Sequence, residues 1–147
     1  MELRIINVNE DKTNGVYAST DCQNLINSMN EYYPKIGFII PWVGYFVLRN
    51  NQIVGTGGFT GQPVEGKVEI AYWTFKEFEG QGVASFTCKE LISISKNTDP
   101  QLVITAKTAP EHNASTKILQ KNGFEFSGIV QDVEIGDAWL WVLKTDH

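Results

Sequence analysis

The chain has 147 residues, 42% hydrophobic and 20% charged, which suffices for one globular domain with a real core. A net charge of -5, with no cluster of Lys and Arg, argues against a nucleic-acid-binding surface. The longest apolar stretch, IGFIIPWVGYFVL, is broken by Pro41 and by Gly37 and Gly44, so it does not read as a membrane span.

The N-terminal MELRIINVNED lacks a basic run followed by an apolar one, so no signal peptide is expected, and LRIINV, residues 3–8, reads as a first strand. A helix-compatible region begins near Ser19, where Ser19, Thr20 and Asp21 are all candidate caps. Leu25, Ile26 and Met29 recur at helical spacing, and the pattern stops before Pro34. WVGYFVLRNNQIVGTGGFT is two strands about the turn residues Arg49-Asn50-Asn51-Gln52. GQPVEGK is a second turn, and VEIAYWTF is the next strand. Beyond a glycine turn, Val83, Ala84, Phe86, Leu91, Ile92 and Ile94 give the apolar face of a helix ending near Lys96. LVITA is a short, β-branched strand expected to be buried on both faces. Residues 112–122 form another helix, with Gly123 where a left-handed cap is wanted and Phe124 as its hydrophobic partner. FEFSGIV and AWLWVL close the chain as strands joined by a loop around Gly136-Asp137. This order predicts a mixed α+β sheet in one domain, 1–147, rather than a βαβ array.

Cys22 and Cys88 form no CxxC and have no neighbouring His, so two buried, reduced thiols are expected in a cytoplasmic protein. His112 and His147 are too few and too scattered for zinc, and no metal is expected.

The glycine turn carries the chemistry. A strand, a glycine turn and a helix N-terminus together make an anion site, because free backbone N–H groups converge there. The dinucleotide fingerprint fails, since Ser85 stands where its third glycine belongs. GQPVEGKV satisfies GxxxxGK, but Val68 occupies the Mg²⁺-binding hydroxyl position and a strand follows instead of a helix. The remaining pattern, [Q/R]xxGx[G/A], is met by residues 79–84 at all but its first position, where Glu79 stands.

With that pattern, three separated pieces resemble the GNAT superfamily of acyl-CoA-dependent N-acetyltransferases: VEIAYWTF with GQGVA, then TAPEHNASTKILQKNGF, then GDAWLWVL. They cover the chain from about residue 64 onward, and the first sixty residues fit the family's opening loosely. The resemblance implies a mostly antiparallel central sheet of six or seven strands flanked by helices, with EIAYWTF splayed from LVITA. It implies acetyl-CoA as co-substrate, its pantetheine arm in the splay along Trp73, Thr74 and Phe75. The pyrophosphate would lie on the turn formed by Glu79, Gly80, Gln81, Gly82, Val83 and Ala84. Asn113 would lie near the cofactor arm, and it is also a good N-cap. Ser115 would donate to the pantetheine or stabilise the departing thiolate. The tyrosine that many relatives carry as general acid is missing, with Ile118, Leu119 and Gln120 in its region, which leaves Ser115 and Tyr72 as weak substitutes.

Glu69 is the candidate general base, because an ammonium must lose a proton before it attacks a thioester. Strand alternation places it with Ala71, Trp73 and Phe75, an apolar company that would raise its pKa; a plain solvent-facing role competes evenly. Glu79 opposes a pyrophosphate only weakly, by about 0.5 kcal/mol per charge pair at ~8 Å in water, and an acid near a helix start is also ordinary. Of Tyr32, Tyr33, Phe38, Trp42, Tyr45 and Phe46, core packing is expected for most, with one or two facing the acceptor; Trp139 and Trp141 read as core.

The expected activity is transfer of an acetyl group from acetyl-CoA to a primary amine by direct attack, since no cysteine or serine has an evident triad. The acceptor is a small-molecule amine or a protein N-terminus, no nucleic acid or membrane takes part, and a homodimer stays open. The rival reading is a non-catalytic acyl-CoA-binding module, motivated by Glu79 and the missing tyrosine. A purely structural domain ranks third because it leaves the glycine turn unexplained.

Overall fold

The computed structural model describes residues 1–144. Its strands are β1 (Glu2–Ile5), β2 (Gly44–Arg49), β3 (Gln52–Phe59), β4 (Lys67–Thr74), β5 (Val103–Thr108), β6 (Phe124–Asp132) and β7 (Gly136–Leu143). The helices are α1 (Thr20–Ile36), α2 (Val83–Thr98) and α3 (Ala114–Lys121), with 3-10 turns at Gly15–Tyr17 and Lys76–Phe78. The seven strands form one sheet in the order β1-β2-β3-β4-β5-β7-β6. Every neighbouring pair is antiparallel except β4 and β5, which run parallel because α2 crosses between them.

Local chemistry accounts for the elements and for three departures from the expected boundaries. Asn50 and Asn51 take φ of 51° and 63°, the left-handed pair that a two-residue hairpin turn requires. The first strand stops at Ile5 instead of Val8, because its partner β2 begins at Gly44 and Ile6 N–H already donates to the Gly44 carbonyl. Ser19 caps α1 by accepting from Cys22 N–H, but the helix runs past Pro34 to Ile36. A proline in the last turn frees only the carbonyl of residue 30, and Asn30 is exposed, so that carbonyl is open to solvent. The third departure is the turn between β6 and β7, which lies at residues 133–135, ahead of Gly136-Asp137. Asp132 Oδ1 accepts from the N–H groups of Glu134 and Ile135 and organises it.

Glycine lets α2 lie close on the sheet: a Cβ at Gly57 would stand 2.2 Å from Thr87 Cγ2. Phe46, whose cross-strand partner Thr56 precedes Gly57, turns to the opposite face and stacks on Tyr17 at 5.2 Å. The core runs through Ile26, Phe46, Ile70, Phe75, Leu91, Ile104, Leu119 and Trp141. Cys22 and Cys88 are buried free thiols, and burial pushes the Cys88 thiol up to about 12. No described helix is long and apolar enough to cross a membrane.

One feature of the sheet positions the candidate site. β4 and β5 pair only from Lys67↔Val103 to Ile70↔Ala106, although β4 continues to Thr74 and β5 to Thr108. Past those pairs the two strands part.

Candidate active site

The parted strands leave backbone groups free on one edge of β4. Thr60 N–H donates to the Glu69 carbonyl and Phe75 N–H to the Val54 carbonyl, so odd-numbered residues of β4 point their polar groups at β3. By alternation, Tyr72 and Thr74 turn theirs toward β5, which is no longer there to meet them. Thr74 thus leaves its backbone polar groups on the open edge of β4. Trp73 presents its backbone to β3 and leaves a 47% exposed ring, packed edge-on to Phe75 at 5.0 Å. Phe75 is set apart from any ligand, because its ring is 1% exposed and its N–H and C=O bond to Val54 and Phe78. It anchors the turn from below.

The glycine turn follows directly. Gly80 and Gly82 hold φ of +75° and +83°, a region that disfavours side chains, and a Cβ on either would project into open space. The first bond of α2 is Phe86 N–H to the Gly82 carbonyl, so the N–H groups of Val83, Ala84 and Ser85 meet no acceptor among the described residues. The first turn of α2 carries no acidic residue. The helix therefore presents uncompensated positive charge at this end. Glu79 is exposed and lies outside the helix, so it serves as no first-turn acid, while Gln81 Nε2 reaches back to the Glu77 carbonyl. Free N–H groups and positive sign together suit an anion such as a pyrophosphate.

At the other end of the splay is a cleft of about 280 Å³, lined by Ala71, Tyr72, Lys107, Thr108, Asn113, Ser115 and Leu119 among others. Asn113 caps α3: its Oδ1 accepts from Thr116 N–H, the Thr116 hydroxyl accepts from Asn113 N–H, and Nδ2 donates to Glu111. The side-chain oxygen thus positions the helix, and one Nδ2 proton remains without a partner among the described residues. Ser115 is exposed in the first turn of α3, and its Oγ has no partner among the described residues, so it is free to donate. Tyr72 Oη approaches the Ser115 carbonyl at 3.4 Å, and burial raises its pKa, which keeps it a neutral donor.

Glu69 is half-buried near this cleft, but its company differs from the apolar one expected. Lys107 Nζ lies 3.3 Å from Glu69 Oε1 and 3.6 Å from Asp132 Oδ2. Burial alone would lower the Lys107 pKa; the two carboxylates outweigh it and raise it. Tyr32, from α1, faces the same group: burial raises its pKa, and the charges of Glu69 and Glu134 add to the rise against Lys107. Its hydroxyl donates to the Thr60 carbonyl. Tyr33, Trp42, Tyr45 and Phe46 are buried, as their core reading required, and so is Trp141, whose Nε1 donates to Thr108 Oγ1. Lys107 and Asp132 were not singled out from sequence, and Tyr32 was named only among six aromatic residues of which one or two were expected to face the acceptor. The three come from β5, β6 and α1, and no local spacing signals their meeting.

Comparison with known proteins decides the family. The model of the acetyltransferase (GNAT) domain matches residues 8–125, most of the chain and more of its N-terminal part than the sequence pieces covered. The chain belongs to the GNAT acetyltransferase family. By that membership it is a GNAT N-acetyltransferase. It is 28% identical over 136 residues to an uncharacterized N-acetyltransferase, YjdG of Bacillus subtilis (strain 168), covering 90% of this chain and 79% of that protein. Its fold is similar to RimL, a ribosomal L7/L12 alpha-N-protein acetyltransferase solved with coenzyme A. That match has a TM-score of 0.64 at 17% identity, over 83% of this chain and 70% of the other. The microcin C7 self-immunity acetyltransferase MccE, solved with acetyl-CoA and AMP, is similar with TM-score 0.64 and 18% identity, over 84% and 69%.

Proposed function

We propose that this GNAT enzyme takes acetyl-CoA as donor and moves its acetyl group directly onto a primary amine. The observation that carries the reading is the β4–β5 splay, which joins the free N–H groups at the start of α2 to the cleft beside Ser115. In this reading Gly80, Gly82, Val83 and Ala84 hold the pyrophosphate, and the backbones of Tyr72 and Thr74 bond the pantetheine amides. Glu69 takes the proton that the incoming ammonium must lose, and the Ser115 hydroxyl donates to the departing sulfur. Bound acetyl-CoA supplies an activated acyl group; the chain supplies alignment and proton transfer.

The acceptor is an amine that arrives as a cation, a small molecule or a protein N-terminus. Glu69 and Asp132 share a single ammonium, that of Lys107, so one negative charge of this trio is left for an incoming cation. RimL, with a similar fold, is by its name an alpha-N-protein acetyltransferase, which supports the protein N-terminus. The test is acetyl-CoA turnover, read as thiol release, over a panel of peptides with free or blocked N-termini and of small amines. Faster release with one class identifies the acceptor type. No acceptor-dependent release across the panel, despite acetyl-CoA binding, would count against both acceptor classes.

A further inference from the structure

The ammonium nearest the proposed base belongs to the protein itself. Lys107 is the first β5 residue beyond the last β4–β5 pair, Ile70↔Ala106, so it stands where the strands open. It lines the cleft that holds Ser115, and its Nζ is 3.3 Å from Glu69 Oε1. An acceptor amine must satisfy the same two conditions, contact with the cleft and contact with the base. From this geometry we propose that Lys107 is a self-acetylation site, modified by the enzyme's own acetyl-CoA when no external amine occupies the acceptor position. The inference rests on the acetyl-CoA reading of the cleft.

The step balances. The Lys107 ammonium gives one proton to Glu69, and the neutral amine attacks the thioester carbonyl. A C–N bond forms as the C–S bond breaks, and the electron pair leaves on sulfur. The second nitrogen proton accompanies the sulfur as thiol, and Glu69 returns its proton to solvent. The products are acetyl-lysine, free CoA thiol and one proton. Acetylation removes the cation that Glu69 and Asp132 share, so both carboxylates lose their partner together. The modified enzyme then offers an external ammonium a doubly negative site.

Purified protein incubated with acetyl-CoA alone, followed by intact mass and peptide mapping, tests this. One acetyl group is expected on Lys107 ahead of more exposed lysines such as Lys144. Simple chemical acetylation would favour the exposed ones, and their leading would overturn the proposal. Glu69→Gln should slow modification of Lys107 roughly a hundredfold, as loss of a general base does. Lys107→Arg should take up no acetyl at that position. Equal labelling of Lys107 in wild type and Glu69→Gln would also overturn it. A thermal shift with acetyl-CoA is read on the same samples. A shift without acetyl-Lys107 sinks this proposal alone, whereas no shift sinks the acetyl-CoA reading with it.

Discussion

Gly82 sits at the entry to α2 with φ of +83° and open space where a Cβ would point. Asp tolerates a left-handed backbone better than β-branched residues, so Gly82→Asp should fold while filling the cradle with a carboxylate. Acetyl-CoA is expected to raise the melting temperature of wild type, by about 2.7 kcal/mol of stabilisation at a hundred times Kd, and the variant should show no such rise. Differential scanning fluorimetry at several ligand concentrations reads this, and an equal rise in both proteins would place the ligand elsewhere. At Glu69 the expectation is kinetic. Glu69→Gln should lower kcat roughly a hundredfold with little change in acetyl-CoA affinity. Steady-state rates beside a calorimetric titration separate the two, and an unchanged rate would remove Glu69 from proton transfer. Glu79 is exposed and outside α2, near phosphate in this reading. Glu79→Arg should tighten CoA several-fold at low salt, and the gain should shrink as ionic strength rises, since exposed charges are screened within ~10 Å at 0.1 M. Titration at two salt concentrations checks it, and unchanged binding would mean that Glu79 points away from the phosphates.

At the scale of elements, the β6–β7 turn brings Asp132 to the site. Glu134 N–H holds the Asp132 carboxyl below its ordinary value against burial, the next largest effect, and Ile135 N–H and the Lys107 ammonium lower it further. A carboxyl depressed in the folded state stabilises it above the unfolded pKa near 3.9, and that contribution is lost as pH falls through the folded value. Asp132→Asn should therefore lower the melting temperature at pH 7 and leave it near the wild-type value at pH 2. A difference that persisted at pH 2 would mean that packing, and not charge, holds the turn. This turn also shows where reading by element ran out. Gly136 and Asp137 are good turn residues, yet Asp132 starts the turn earlier by claiming two N–H groups, and Gly136 becomes strand. Pro34 misled in the opposite sense, because a proline in the last turn of α1 costs one hydrogen bond, and the carbonyl it frees is open to solvent.

For the molecule as a whole, the close approach of α2 to β3 fixes where the helix N-terminus stands relative to the splay. Gly57→Val would drive a side chain into Thr87 and is expected to destabilise by about 1–3 kcal/mol while weakening acetyl-CoA binding. Denaturant unfolding and a ligand titration on the same variant test both, and unaltered binding would mean that the cradle does not depend on this packing. The sequence by itself determined the strand and helix order and the glycine turn with its left-handed positions. It also marked the Asn113 cap and the family resemblance, because each rests on residues a few positions apart, where periodicity, capping and turn chemistry act. Only the tertiary structure decided that Phe75 is core, that Tyr72 and Thr74 offer the free backbone, and that Glu69 faces Lys107 and Asp132 instead of apolar neighbours. Those facts depend on which edge of β4 loses its partner and on three strands meeting at one point. Hydrogen-bond parity and ion pairing across 25 to 38 residues of chain leave no trace in local sequence spacing.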